Sequence, residues 1–310
     1  MSRLVNSTGV ESALPARAEA TRHVLERLDS TVRRQLAGSE GASGRPRSDR
    51  LWADLAASLP PPRAHGRASL ALKRLADVVV ASLLLVLAAP LLAAAALAVL
   101  LETGRPAFFV HERLTRGRER FDCRKLRTMR PEVSPALHAD PDAWATYARE
   151  DFKIRDPDPR ITRVGSLLRR GYLDELPQLW NVLRGEMSMI GPRPIIPAEL
   201  VWYGPLADEL LHVRPGLSGI WQLTDHLPYP GRSYVELAYA RGWSLRCDLA
   251  IALRTLVAVA TRREIPIGSL LERLGADASV VAGERRQPAG PSALELLPAP
   301  ENAVGAGTDA

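Results

Sequence analysis

The pattern of apolar and polar positions divides this chain around one long hydrophobic run. From Val78 to Leu101 it passes about 24 residues without a charge, slightly beyond the roughly 20 that cross a bilayer as a straight helix. The run has no polar face along its length, so it does not read as a core helix of a soluble protein. Lys73 and Arg74 precede it, and Arg105, Arg113, Arg116, Arg118 and Arg120 follow closely. Basic residues favour the cytoplasmic side, so both ends prefer the same face. Pro90 stands in the middle, where it removes a backbone hydrogen bond and kinks or breaks a helix. A segment that enters one leaflet and returns, and a kinked spanning helix, both fit this pattern.

Before this run, Val24, Leu25, Leu28, Val32 and Leu36 suggest one helical patch over about 19–36. The Gly/Ser/Arg-rich stretch that follows and the prolines at 60–62 read as linker, so most of 1–68 is expected to be disordered. The stretch near Met1 lacks the apolar core of a secretory signal. After the run, AFFV and about 121–126 alternate as strands around a turn at Arg116–Arg118, which predicts a hairpin. Helical spacing recurs over 135–151, with Trp144 and Tyr147, and over 163–170, 199–211 and 247–260. The last of these is mostly apolar and suits packing or a position at the membrane interface. From Arg262 the pattern becomes polar and Pro/Gly/Ala-rich, read as a tail. The expected organisation is an extension over 1–68, one catalytic unit over 69–263 containing the membrane segment 75–101, and a disordered tail over 264–310.

Net charge is +6, which admits nucleic acid, an anionic membrane surface or a phosphorylated substrate as partner. Cys123 and Cys247 are the only cysteines, far apart and without metal-ligand spacing, which reads as two reduced thiols.

The chemistry concentrates in RRGYLDELPQLWNVLRGEMSMIGPR, 169–193. Asp174 and Glu175 stand just before Pro177, which reads as a first-turn proline opening a helix with Leu176, Leu179 and Leu183 on one face. Carboxylates at a helix N-terminus are ordinary caps, yet the same place suits phosphate chemistry, with Arg169, Arg170, Arg184 and Arg193 around it. Lys125 and Arg127 lie in a basic stretch that reads either as a face toward anionic headgroups or as phosphate contacts. Arg193, between two prolines in a restricted loop, suits an anion. In RDPDPRIT, Asp158 reads as a metal ligand, a substrate contact or a turn former. Trp221 reads as a core residue or a stacking platform.

Taken in order, KRLAD (73–77), Pro90 in the apolar run, ERLTRG (112–117), KLRTM (125–129), DPRIT (158–162), LDELPQLWNVLRGEMSMIGPRP (173–194) and VRPGLSGIWQ (213–222) resemble the bacterial sugar transferases. These are monotopic phosphoglycosyl transferases acting on a polyprenyl phosphate. The resemblance covers about 73–262. It implies a mainly α fold with a small β-hairpin (α+β): a re-entrant helix-break-helix bent at Pro90, then a compact cytosolic catalytic domain at the bacterial inner membrane. It implies transfer of a sugar phosphate from a UDP-sugar to undecaprenyl phosphate, releasing UMP, as a first step in exopolysaccharide or other glycan assembly. Asp174 is then the nucleophile and Glu175 its neighbouring acid, with Mg²⁺ held at the pair. Arg169 is the expected phosphate contact, followed by Lys125, Arg127 and Arg193, with Asp158 and Arg160 of DPRIT as further substrate contacts. Inner-membrane lipids are the implied surroundings, and nucleic acid is not an implied partner.

The chain departs from the family pattern at His111, where Gln is usual, at Gly171-Tyr172, where small hydroxyl residues are usual, and at Glu186, where Asp is usual. These changes bear on loop packing and substrate choice. The polar stretch before the apolar run makes this look like the short form of the family. The competing expectation is a membrane-tethered basic module that binds anions without turnover, the acid pair being a cap.

Overall fold

The computed structural model describes residues 45–140, 157–223, 231–261 and 266–278, with single positions between and before them. The chain is mainly helical with two small two-stranded sheets. In order come helix α1 (Arg45–Ser58), the long helix α2 (Arg67–Thr103), strands β1 (Phe108–Leu114) and β2 (Arg120–Leu126), α3 (Val133–Ala139), α4 (Arg163–Arg170) and α5 (Gln178–Arg184). Then follow β3 (Ser188–Ile190), α6 (Ala207–Leu210), β4 (Gly216–Ser218), α7 (Ile220–Leu223), α8 (Gly231–Gly242), α9 (Leu245–Thr261) and α10 (Gly268–Leu274).

Helical backbone runs through Pro90 without interruption over 37 residues, a contour of about 55 Å. The expected helix-break-helix is therefore one continuous helix. Its most apolar 18-residue window has a mean hydropathy of 2.8 and is only 11% buried. Leu83, Val86, Leu87 and Leu101 are more than half exposed, as suits surroundings other than water.

One narrow stripe of α2 does meet protein. Ala81, with Leu85 beside it, packs on Phe121, Cys123, Leu179, Val182 and Met187. Ala95 and Val99 pack on Leu126 and Leu168. Small residues let the helix approach β2, α4 and α5 closely.

Polar bonds fix both ends. Arg74 donates to the carbonyls of Val182 (2.6 Å) and Leu183 (2.8 Å), closing the C-terminal end of α5. Lys73 donates to Ile190 O (2.9 Å) and pairs with Asp248 (2.6 Å). Asp77 accepts from Ser188 Oγ and Met189 N. At the other end, Arg127 donates to Thr103 O, Thr103 Oγ1 and Gly104 O. Cations at helix C-terminal carbonyls oppose the helix dipole and satisfy acceptors the helix leaves open.

The expected hairpin is present: β1 and β2 pair antiparallel from Phe108↔Leu126 to Leu114↔Arg120. Its turn, Arg116–Arg118, is a 3₁₀ turn with Gly117 at φ 75°. Strands β3 and β4 pair in parallel. Backbone contact is so close there that a Cβ on Gly216 would lie 2.1 Å from Gly191 N.

The segment 199–211 is not one helix. Gly204-Pro205 divides it into 3₁₀ turns at Pro197–Trp202 and Gly204–Leu206, followed by α6. Of the helix expected over 135–151, Val133–Ala139 is helical and Trp144 is buried, and much of the remainder lies outside the described residues. The patch over 19–36 lies outside them except for Arg27 and Ser30.

Two expectations of disorder are corrected. Residues 45–58 form α1, and Leu51, Trp52, Leu55 and Leu59 belong to the main core with Trp202, Tyr203 and Leu206. The tail contains α10, whose Leu270, Leu271 and Leu274 enter the same core. Both were legible as apolar residues at helical spacing, hidden by polar, Pro/Gly-rich flanks.

Trp52 is 6% exposed and lies against Gly204. Truncation to alanine removes an indole from a packed core, so Trp52→Ala is expected to cost about 3–5 kcal/mol. Thermal unfolding of the detergent-solubilised full chain would register this as a lower midpoint. An unchanged midpoint would place α1 outside the cooperative fold.

Candidate active site

The acid pair is held between α4 and α5. Thr162 caps α4 by accepting from Gly165 N (2.8 Å). Gly165 crosses so near Thr128 that a Cβ there would stand 2.0 Å from its carbonyl oxygen. The helix thereby runs tightly past the end of β2, with buried Leu168 inward and Arg169 in its last turn. Tyr172 then adopts a left-handed conformation, φ 55° and ψ 20°, uncommon for a residue with a Cβ. The chain turns sharply into a 3₁₀ turn, Leu173–Glu175.

Asp174 and Glu175 thus occupy their own turn ahead of α5, not its first turn. The N-cap of α5 is Pro177, with no side-chain cap bond. The reading of the pair as ordinary caps is not realised.

Asn181 brings the opposite charge into place. Fully buried on α5, it accepts from Arg124 N (3.1 Å) and donates to Asp122 O and Glu186 Oε2, both at 2.7 Å. An amide with three of its bonds made in a dry site pins α5 to β2. The residue after Arg124 is Lys125, whose Nζ lies 2.6 Å from Glu175 Oε1.

Asp174 is only 8% exposed. Burial pushes its carboxyl above the usual aspartate range; Lys125 and Arg169 act against that rise, while Glu175 adds to it. Burial also works to lower the Lys125 ammonium, but Glu175 and Asp174 carry it above its ordinary value. The result is a desolvated carboxyl within electrostatic reach of two cations, the setting in which such attraction is strong.

Arg169 donates through Nε to Thr128 Oγ1 (2.9 Å) and through Nη1 to Ile154 O (2.8 Å). The remaining terminal nitrogen is in neither bond. Asp158 lies in its electrostatic range but is bound to Arg160, at 2.9 Å to Nε and 2.6 Å to Nη2, and also accepts from Arg160 N. Those Arg160 bonds hold the Asp158 carboxyl below the usual range. Of its three readings, the geometry is that of a turn former.

The structure gathers Asp174, Glu175, Lys125 and Arg169. Arg127 bonds the end of α2 through one terminal nitrogen, Nη2, and Arg193 pairs with Glu199 (2.8 Å). Glu199, fully buried, also accepts from Arg113 (3.1 Å), Ile196 N (2.8 Å) and Tyr229 (3.2 Å). This network underlies the loop of Arg193. Sequence reading passed over Glu199 as part of a helix, and its only local signal was an acid three residues after Ile196.

Among the described residues, no three His, Cys, Asp or Glu side chains form a metal-binding group. A divalent cation that keeps most of its waters needs only one or two carboxylates plus substrate phosphates. Asp174 and Glu175 provide that donor set.

The pattern that describes the bacterial sugar transferases matches residues 68–262. The chain belongs to this family. A UDP-galactose-lipid carrier transferase of Erwinia amylovora is 41% identical over 197 residues, covering 62% of this chain and 41% of that protein. An exopolysaccharide production protein, ExoY, of Rhizobium meliloti is 39% identical over 197 residues, covering 62% of this chain and 86% of that protein. A UDP-glucose:undecaprenyl-phosphate glucose-1-phosphate transferase of Caulobacter vibrioides is 39% identical over 203 residues, with coverage of 61% and 70%. The matched part of this chain spans about two fifths of the Erwinia protein. Helices α1 and α10 lie outside the family match.

A second buried acid adjoins the Glu199 network. Burial raises the Glu236 carboxyl from 4.5 to about 7, against bonds and charges from Tyr203, Arg232 and Arg193 and together with Glu199. Tyr203 donates to Oε2 (2.5 Å). The folded value exceeds the unfolded one, so the folded state holds this proton longer. Stability from this group is complete below about pH 4.5 and is lost as pH rises toward about 7. Glu236→Gln removes the titration. Relative to wild type it is expected to gain roughly 3 kcal/mol between pH 4.5 and 8, checked by urea unfolding across that range. A constant difference would disprove the raised value.

Proposed function

We propose that this protein transfers a sugar phosphate from a UDP-sugar to undecaprenyl phosphate at the cytoplasmic face of the bacterial inner membrane, yielding undecaprenyl-diphosphate-sugar and UMP. Family membership and the names of the relatives support the reaction class. The observation that carries the reading here is Asp174, desolvated beside Lys125 and Arg169 at the end of a helix packed on an apolar segment.

An Asp174 oxygen attacks the sugar-linked phosphorus of the UDP-sugar. The bond from that phosphorus to the bridging oxygen breaks, and UMP departs with the oxygen. The phosphosugar is then joined to Asp174 as an acyl phosphate. An oxygen of undecaprenyl phosphate attacks the same phosphorus, the bond to Asp174 breaks, and the carboxylate is restored. A carboxylate can divide a difficult displacement into two such steps. Arg169 and Lys125 offset the charge gathered where nucleophile and diphosphate meet. Asp174 and Glu175 are the residues that would hold Mg²⁺, which when bound neutralises and orients the diphosphate. Arg127 and Arg193 act on the site through the protein groups they bind.

A re-entrant path for α2 completes the proposal. Its support is that both ends are bonded to one domain, by Arg74 and Lys73 on one side and by Thr103 and Gly104 on the other. Both ends of this continuous helix then lie on the cytoplasmic side, and the site lies where a lipid phosphate is presented. Cysteines introduced at Ala68 and Arg105 are expected to react with an impermeant maleimide only in inverted vesicles. Reaction from opposite faces would overturn the re-entrant path.

Membranes carrying the wild type are expected to release UMP from UDP-galactose or UDP-glucose when undecaprenyl phosphate is supplied, with Asp174→Asn at least about 10³-fold slower. Equal release from both would refute the assigned nucleophile, and anion binding without release would favour a binding module. The nucleophile must be ionised, so the rate falls as pH drops through its raised value. Lys125 holds that value down. Lys125→Met is therefore expected to move the acid limb of kcat/KM to higher pH, and a limb that stays in place would contradict the role given to Lys125.

A further inference from the structure

The last turn of α2 contains a carboxylate where its own helix does not favour one. Glu102 sits at the negative end of the α2 dipole, where an acid is unfavourable, and that turn has no basic residue of its own. Its oxygens are engaged elsewhere. Oε1 accepts from Arg163 N at 2.8 Å and Oε2 from Val164 N at 3.1 Å. These are the first two amides of α4, which the helix cannot satisfy internally. Thr162 takes the third, Gly165 N, through its side chain, and accepts the fourth, Ser166 N, through its carbonyl. The N-terminus of α4 is thus fully bonded, half of it by a residue 61 positions earlier in the chain. An acid opposed to its own helix dipole and aligned with that of its neighbour is explained by the neighbour.

The far end of α4 carries Arg169, and the turn after it carries Asp174. We propose that Glu102 is a positioning residue that couples the exit of the apolar helix to the active site, by fixing the axial position and rotation of α4 and so the place of Arg169 beside Asp174. This rests on the transferase reading for its kinetic consequence and on the bonds alone for its structural one. In that reading Arg169 offsets the charge of the nucleotide sugar, so a shifted α4 weakens the use of that substrate more than the use of the lipid.

The test uses the full chain in lipid nanodiscs, as wild type, Glu102→Ala, Glu102→Gln and Glu102→Asp. With UDP-galactose and UDP-glucose as donors, Glu102→Ala is expected to lose at least fivefold in kcat/KM for the nucleotide sugar, with KM for undecaprenyl phosphate unchanged. Glu102→Gln should fall between, and Glu102→Asp should recover part of the loss. Amide hydrogen exchange at Arg163 and Val164 should be faster in Glu102→Ala and near wild type in Glu102→Asp. Nucleotide-sugar kcat/KM within twofold of wild type, or an equal loss toward both substrates, would overturn the coupling. Unchanged exchange at both amides would overturn the cap itself, and that readout stands even if the wild type turns over neither sugar. Such a failure of turnover would instead count against the transferase reading.

Discussion

A carboxylate largely removed from water, with two cations in electrostatic reach, is the constraint around which this site is organised. Burial alone drives Asp174 toward its neutral form, the form that the proposed transfer could not use. Lys125 and Arg169 oppose that tendency, and neither is placed by its own side chain alone. Lys125 is on β2, pinned across to α5 by buried Asn181. Arg169 ends α4, whose passage close to Thr128 requires Gly165. The charge state of Asp174 therefore depends on the packing of a strand and two short helices, neither of which would be stable by itself at seven or eight residues.

The apolar helix supplies the missing support. Arg74 closes the end of α5 and Glu102 closes the start of α4, so the two helices around the acid pair are each completed by one end of α2. Ala81 and Ala95 allow the close contact between those ends. A segment that looks in isolation like a plain membrane anchor is thereby also part of the active-site scaffold. The charged groups near its ends bond to protein groups they meet in space, and most of the leucines between them stay exposed.

How much of this was legible depended on the distance over which each element is determined. The hairpin and α4 follow from local pattern: alternation over 121–126, and Thr162 followed by an apolar-periodic segment. The acid pair was legible through the ordered motifs around it. Its setting in a separate turn was not, because left-handed Tyr172 carries no sequence signal comparable to glycine. Helices α1 and α10 had the right apolar spacing, but flanks rich in Gly and Pro argued for disorder; burial against Trp202, Leu206 and Tyr234 overrode those flanks. The helix-end bonds of Arg74 and Glu102, and the bond of Asp77 to β3, were illegible, since their partners lie 61 to 112 residues away. Arg127 and Arg193 also have protein partners that the local pattern did not announce: Thr103 and Gly104 for the first, Glu199 for the second.

The most direct measurement of the account is the mass of the intact protein after incubation with a UDP-sugar that the wild type turns over, with undecaprenyl phosphate withheld. The account predicts a gain equal to one phosphosugar, mapping to the peptide that contains Asp174 and disappearing when the lipid is added. A chain that stays unmodified, yet releases UMP as soon as the lipid arrives, would contradict it, because the sugar phosphate would then pass to the lipid without ever being bonded to Asp174.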